Sequence, residues 1–582
     1  MRKGRLIVIL EVSAIIILGL AAYANSLQGG FVWDDYGLVV QDSYIKSWSN
    51  IGKVFTESFG SGGGAVSNFY RPLQALIHMI DYSLFGLNPW GYRLTSITAH
   101  ILAALAAYWF ISILSGSSII AFIAGLLFLL HPIQTESVCF ISGVSDPLSL
   151  LFILLSLRFY ISNNAKTYFL SPAFFILALL SKENAVMLPL LVLALHYAFS
   201  RRMEKKKALP IFFIVSVYIL FRVRVSEDFI SSVIIQGSTL ERIPGFFIAT
   251  AEYSRLLIFP YGLHLDYGNR LFSFSDPRAI SGAVILSALV LIVLLAGKKK
   301  PLVSFSLLWF MIMLIPVSNI YPVNESFMME HWLYAPSLGL FLLFASLLCR
   351  PCGRKYTTFS LRVFLALIIA AYIFLTFRQS RYWENQEVLY KRGISYSPDS
   401  YILHNQLGLE YFNSGDNEKA EVSFKESIRV NPAASGAYIN LANVYRVTGR
   451  EGEAKLLYAK AARIKALSAG RYYEQAHKYK EEARYAKAVI LYKKALLEDP
   501  RDIVVYEELG TTYVLMGRSR EAIPLFIKAL EISPDSGVLH NNLAVAYYYC
   551  GLYELAVRHS DIALGSGYEV SPKLLEMLEK YR

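Results

Sequence analysis

The chain has 582 residues, more than one folding unit normally holds, so several domains are expected. Hydrophobic residues make up 55% of it, too many for a wholly water-soluble protein, and they concentrate in residues 1–378 while 398–582 read as a charged helical protein. The net charge of +12 lies in short basic runs beside apolar segments, the pattern of cytoplasmic membrane loops rather than of nucleic-acid binding.

In chain order, apolar stretches near the ~20 residues needed to cross a bilayer fall at about 6–24, 93–114, 118–131, 146–161, 167–181, 184–199, 208–222, 279–296, 302–318, 334–349 and 361–377. About eleven transmembrane helices are therefore expected. The first follows Met-Arg-Lys-Gly-Arg, which keeps the N-terminus in the cytoplasm. Ala22-Tyr23-Ala24 resembles a signal-peptide cleavage site, but the long apolar run interrupted by Glu11 favours an uncleaved anchor. The segment 245–260 is the exception. Counting it as a span would put the lysines 298–300 and the basic run 350–355 outside; leaving it out places both inside with the run 201–207. A re-entrant or interfacial helix is therefore expected there, with Glu252 and Arg255 in keeping. The same parity puts everything after 378 on the external side. Four cysteines form no disulfide framework, and Cys349-Arg350-Pro351-Cys352 lacks the second pair a zinc site needs.

Ionisable residues away from the basic runs are few in this half and mark candidate chemistry. A long first external loop, 25–92, holds Phe31-Val32-Trp33-Asp34-Asp35-Tyr36 and then the glycine-rich stretch Gly60 to Gly64. The adjacent carboxylates could supply a general base, hold a divalent cation, or cap a helix. Asn68-Phe69-Tyr70-Arg71-Pro72-Leu73 follows, with His78 and Asp81 beyond it. An arginine at this level can fork onto phosphate oxygens or simply snorkel to the interface. The loop after the third span reads His131-Pro132-Ile133-Gln134-Thr135-Glu136-Ser137-Val138 and ends at Asp146; Lys182-Glu183-Asn184 occupies the next external turn. Asp266 and Tyr267 follow the re-entrant segment, and Glu330-His331 precedes the tenth span. By the topology above these groups share one side, as an external-face enzyme needs and as polar helix ends in any membrane protein also do.

From about 401 the sequence repeats every 34 residues, the TPR period. A small residue recurs at Gly408, Ala442, Ala476, Gly510 and Ala544, tyrosine at Tyr411, Tyr445, Tyr479, Tyr513 and Tyr547, and alanine at Ala420, Ala454, Ala488, Ala522 and Ala556. The next aromatic recurs at Phe424, Tyr458, Tyr492 and Phe526, and prolines close repeats at Pro432, Pro500 and Pro534. Small residues let paired helices approach, aromatics fill between neighbours, and proline ends the second helix. The expected architecture is all-α: a membrane helix bundle over 1–380, a linker over 381–400, and a TPR α-solenoid of about five repeats over 401–582, whose groove binds protein or peptide.

The order of these parts resembles the transmembrane-and-TPR O-mannosyltransferase-like family, whose membrane fold is the GT-C glycosyltransferase fold. The matching pieces are Val32-Trp33-Asp34-Asp35, Tyr70-Arg71-Pro72-Leu73, His131 to Val138 with Gly143 to Asp146, Ser181-Lys182-Glu183, and Leu333 to Gly339. The resemblance implies inverting transfer of a sugar from a polyprenyl- or dolichyl-phosphate carrier to a protein hydroxyl on the external face. It implies that Asp34 or Asp35 is the catalytic base and that Arg71, with Lys182, holds the donor phosphate. His131, Glu136, Asp146, Glu330 and His331 would then be supporting polar residues, and the TPR tail would recruit the acceptor protein. GT-C enzymes using monophosphate carriers generally need no metal, although a divalent ion at the Asp pair stays open. His331 stands where the family often has arginine, and Pro147 directly after Asp146 is a second departure. The short loops point to a bacterial inner membrane. Two other readings remain open: an O-antigen-ligase or polymerase-type transferase, whose large external loop usually lies later in the chain, and a membrane-anchored TPR scaffold for envelope assembly.

Overall fold

The computed structural model describes residues 2–64, 69–162, 164, 167–200, 202–225, 239–268, 270–320, 326–349 and 355–582. Asn68, Arg201 and the basic residues of 350–354, with Cys352, lie outside them. Among the described residues the regular structure is entirely helical, with no strand. The chain divides into two compact units, one holding Met1–Ser226 with Val233–Glu410, the other running from Tyr411 to Arg582.

In the first unit, six helices among the described residues are long and apolar enough to cross a membrane: Arg5–Gln28, Pro89–Ser115, Ile141–Tyr160, Pro277–Ala296, Glu330–Leu348 and Val363–Trp383. A seventh arises if Ser118–Leu130 and Pro132–Cys139, bent by 54° at their break, count as one span. The chain is an integral membrane protein. Among the described residues fewer helices reach full span length than the eleven apolar stretches of the sequence, because several of those stretches are interrupted. Pro132 lacks an N–H for the helix before it, and Lys182 takes an extended conformation (φ −158°, ψ 146°) between Leu170–Ser181 and Glu183–Phe199. A helix of 12 residues such as Leu170–Ser181 rises only about 18 Å against about 30 Å of hydrocarbon. Thr239–Ile258, over the segment expected to be re-entrant, has 20 residues but carries Glu241, Arg242, Glu252 and Arg255 and is not among the candidate spans.

Residues 381–400, expected as a linker, belong to the first unit and are helical over Arg381–Trp383 and Gln386–Tyr396. Gln386–Tyr396 lies there, Arg392 Nε donates to the Leu263 carbonyl at 3.3 Å, and the Ser400 hydroxyl donates to Asp266. Tyr390 meets Trp33 edge to face, with ring centroids 5.9 Å apart. This segment therefore packs against the 25–92 loop at Trp33.

The second unit is a run of helices, each buried along one stripe. Ala420, Ala454, Ala488, Ala522 and Ala556 are buried, as the 34-residue register requires. A cation also lies over the recurring tyrosine: Arg450 is 3.6 Å from the Tyr445 centroid, Arg484 4.7 Å from Tyr479, and Arg518 4.8 Å from Tyr513.

Candidate active site

The chain from His131 to Asp146 organises the first unit. It runs through the turn Pro132–Gln134, the short helix Thr135–Cys139 and the turn Ile141–Val144 before the helix Ser145–Tyr160 begins. Every residue of it except Phe140 is buried. Short turns in an apolar interior leave backbone and side-chain polar groups that must find partners. Here the partners come from widely separated parts of the sequence. Glu136 accepts from the His331 ring Nδ1 at 2.7 Å and from the His331 N–H at 2.9 Å. The Ser137 hydroxyl reaches Asp146 at 3.5 Å, and Gln134 donates to the Ser337 hydroxyl at 3.0 Å. The Cys139 carbonyl accepts from Arg93, and the Ser142 carbonyl accepts from Gln74 at 2.7 Å.

The two adjacent aspartates are treated differently by this segment. Asp35 is fully buried, and its oxygens accept from the Val32 N–H at 3.1 Å, the Ser142 N–H at 2.9 Å and the Ser142 hydroxyl at 2.7 Å. Burial raises its carboxyl, opposed by those hydrogen bonds and by the Arg93 charge. Asp34 is exposed. The surrounding protein, and after it the Asp35 charge, push its carboxyl up to about 6, against a Trp33 hydrogen bond and the His331 charge. Trp33 sits at φ +53°, and this left-handed turn sends the neighbouring aspartates different ways. With both oxygens of Asp35 committed, Asp34 is the open carboxylate of the pair, and no group of three His, Cys, Asp or Glu side chains suited to a metal occurs among the described residues.

The expected phosphate-binding cations are nearby in the fold but already paired. Arg71 Nε donates to Glu183 at 3.1 Å and its guanidinium lies 4.3 Å from the Phe69 ring centroid. It also lines a narrow cavity within the first loop, with Asp42, Ser58 and Phe59. Lys182 Nζ reaches the two oxygens of Asp146 at 2.7 and 2.8 Å. Adjacent Lys182 and Glu183 thus join two pairs, and Ser137 links Asp146 back to the Glu136–His331 pair. Lys182, Asp146, Glu136, His331 and Asp35 bond within one polar network centred on 135–146; Arg71 joins it through Glu183 beside Lys182, and Asp34 stands next to it as the sequence neighbour of Asp35.

His131 is not brought to it. The ring is buried, its Nδ1 accepts from the Ile133 N–H at 3.1 Å, its Nε2 faces the Leu257 carbonyl at 3.2 Å, and Phe341 and Tyr372 pack against it. It closes the Pro132 turn. Glu330 turns toward the 259–268 loop, accepting from the Tyr267 hydroxyl at 2.8 Å and from the His264 N–H. His78 and Asp81 form a buried pair at 3.9 Å, with Thr95 donating to Asp81 at 2.6 Å.

Two residues outside the expected set matter to the geometry. Arg93 is fully buried and donates to the carbonyls of Cys139 and Trp383, each at 2.8 Å, and to Gly30. It fastens the first loop to 135–146 and to the start of the segment over it. Gly29 permits that approach, since a Cβ there would lie 2.7 Å from the guanidinium carbon. An arginine at the mouth of an apolar helix is visible in the sequence, but its partners are not. Tyr390 stands over Trp33, and its hydroxyl donates to Gln386 at 2.6 Å.

Fold and site together define an all-helical integral membrane protein with an accessible, raised carboxylate set in a buried polar network, joined to a TPR array. The Tetratricopeptide repeat family model matches residues 402–433 and 503–536. A Caenorhabditis elegans protein named Protein O-mannosyl-transferase is 25% identical over 437 residues, covering 72% of this chain and 62% of that protein. Human Protein O-mannosyl-transferase TMTC2 is 36% identical over 155 residues, covering 25% of this chain and 18% of that protein. The chain is thus a homologue of the proteins named protein O-mannosyl-transferases and carries TPR repeats, in agreement with the resemblance read from its motifs. It spans less than two thirds of the length of these curated relatives. Among solved structures, "Crystal structure of YrrB: a TPR protein with an unusual peptide-binding site" aligns at 20% identity and a TM-score of 0.18, covering 33% of this chain and 97% of that one.

Proposed function

We propose that the protein is a membrane glycosyltransferase that moves a sugar, mannose by the names of its relatives, from a polyprenyl-phosphate carrier to serine or threonine hydroxyls of proteins. The observation that carries this reading is Asp34: open to solvent, raised to about 6, and set beside a neighbour whose oxygens are all engaged. A base poised close to neutral pH is suited to taking a hydroxyl proton. In the proposed step the acceptor oxygen attacks C1 of the sugar from the face opposite the phosphate. The C1–O bond to the carrier breaks, the hydroxyl proton passes to the Asp34 carboxylate, and polyprenyl monophosphate leaves with inversion at C1.

Arg71 and Lys182 hold the carrier phosphate and offset the charge that grows on the leaving oxygen. Their partners Glu183 and Asp146 keep each cation in place before donor arrives, and rearrangement of one pair admits the phosphate. Asp35 acts indirectly, holding the loop that carries Asp34 against Ser142. No step is routed through a metal.

The basic runs favour a cytoplasmic N-terminus, and parity then puts the first loop and the TPR tail outside the cytoplasm, in a bacterial inner membrane. The tail recruits the acceptor protein and raises its effective concentration for transfer. A membrane-anchored scaffold is the weaker reading, because an anchor has no need of a buried polar network linking distant parts of the sequence.

The test uses the full chain in proteoliposomes with labelled polyprenyl-phosphate mannose and a serine-threonine peptide. Transfer is expected, and Asp34→Asn is expected to lower it about 10²–10⁴-fold with thermal melting unchanged. Undiminished transfer by a folded Asp34→Asn protein would falsify the assignment.

A further inference from the structure

The 34-residue period of the tail is broken once. Proline ends the second helix of a repeat at 432, 500 and 534, but the matching position between the second and third repeats is Ala466. Nothing stops the helix there. Glu451–Glu481 is accordingly one helix of 31 residues, whereas its neighbours Ser435–Val447 and Tyr485–Glu498 have 13 and 14. At the other junctions the second helix of one repeat packs on the first helix of the next: Asn417–Val430 on Ser435–Val447, Tyr485–Glu498 on Ile503–Leu515, and Ser519–Ile532 on Gly537–Tyr549. Two halves of one continuous helix cannot lie side by side, so this junction lacks its packed layer.

The side chains agree with the break. At the register of Arg471 the other first helices of this unit bury Ala437, Val505 and Leu539; at that of Gln475 they bury Leu441, Leu509 and Leu543. Arg471 and Gln475 are both exposed. Tyr458 is half-buried, while Phe424, Tyr492 and Phe526 at the same register are fully covered. Polar residues have replaced the apolar ones that stacking would need, so the open junction is written into the sequence.

Fusion also brings two faces into line. Leu456, Lys460, Arg463, Leu467, Arg471 and Gln475 follow at steps of three and four, lie on one face of the helix, and are all exposed. Leu456 is 72% and Leu467 59% accessible. The face runs about 28 Å along the axis, longer than a 13- or 14-residue repeat helix offers. Between Glu453 and Glu474 there are five cations, adding Lys455 and Lys465 to those three, and no carboxylate.

We infer that the fused helix Glu451–Glu481 is a docking seam for an acidic amphipathic helix of a partner protein. The partner's apolar stripe covers Leu456 and Leu467, and its carboxylates meet Lys460, Arg463 and Arg471, a helix-on-helix mode whose anchors recur at the same spacing. The inference rests on the tail being a protein-binding module, and not on the transfer chemistry of the membrane unit.

The test uses the full chain in detergent micelles and a fluorescent synthetic helix of about 20 residues, the length of the seam, with leucine on one stripe and glutamate elsewhere. A matched peptide with lysine for glutamate is the control. The acidic peptide is expected to bind and the lysine peptide not to. Combined Lys460→Glu, Arg463→Glu and Arg471→Glu should weaken binding about tenfold at low salt. A second variant, Ala466→Pro with Arg471→Val and Gln475→Leu, restores the stacked junction and should abolish binding. Equal binding of the two peptides overturns the inference. So does an affinity unmoved by charge reversal in a protein that melts normally, or binding of phosphatidylglycerol vesicles without binding of the acidic peptide. Transfer to a short peptide acceptor is unaffected by either result, so failure here is distinct from failure of the transferase reading.

Discussion

The two units satisfy their polar groups in different ways. In the membrane unit the partners are far apart in sequence: Asp35 with Ser142, Arg71 with Glu183, Glu136 with His331, and Arg93 with Trp383. In the TPR unit many pairs are local, such as Arg450 with Glu453 and Arg429 with Glu426, and others reach the adjacent repeat, as Lys480 does to Glu508. Local exposed pairs contribute little and leave each repeat independent of distant ones. Buried long-range pairs tie the unit together, because the loss of one partner strands the other in a low-dielectric interior. Stability and candidate chemistry are therefore coupled in the first unit and separable in the second.

The comparison is broken most severely by removing a buried partner. Lys182→Met leaves Asp146 unpaired, and destabilisation of about 3–5 kcal/mol is expected, read as a large fall in melting temperature of the detergent-solubilised protein. Adding Asp146→Leu should recover melting but not transfer. Recovery of both would remove Lys182 from the donor site.

The matching experiment in the tail is Leu509→Ala, which empties a buried position at a cost of about 2–5 kcal/mol. Hydrogen exchange should quicken in repeats four and five, while protection of the Pro89–Ser115 helix stays unchanged. Loss of protection in that helix would show that the units are not energetically separate.

Asp35→Ala sharpens the contrast inside the membrane unit. It leaves the Ser142 and Val32 N–H groups without their acceptor, at about 1–3 kcal/mol for each stranded group. Melting and transfer should both decline, whereas Asp34→Asn should affect transfer alone. A stable, inactive Asp35 variant would reverse the roles assigned to the pair.

The smallest effect is on pH. Asp34 must be ionised to accept a proton, and its carboxyl lies at about 6. The rate should therefore rise with pH through about 6 and fall about tenfold per unit below it. A kcat/KM profile flat between pH 5 and 7 would contradict Asp34 as the base.

Part of the candidate site was legible because its residues are rare in their surroundings. Charged side chains in an apolar half stand out, and Asp35, Glu136, Asp146, Lys182 and His331 bond within one network, with Arg71 beside it through Glu183 and Asp34 next to Asp35. His131 stood out equally, yet it closes a turn in an apolar pocket. Rarity reports that a polar group needs a partner and does not say whether that partner is substrate or backbone. Arg93 shows in the sequence only as an arginine at a helix mouth, and only folding brings Gly30, Cys139 and Trp383 around it.

The sequence by itself determined the membrane character, the basic runs and the 34-residue register, since hydropathy and periodicity are properties of neighbours along the chain. It also contained the break at Ala466, visible as one missing proline. Only the tertiary structure decided which of two adjacent aspartates is open. That choice depends on a left-handed turn at Trp33 and on Ser142, more than a hundred residues away. Tertiary structure likewise made residues 381–400 part of the membrane unit and turned the missing proline into one long exposed helix. Which groups meet across such distances is set by packing, and packing is absent from any short window of sequence.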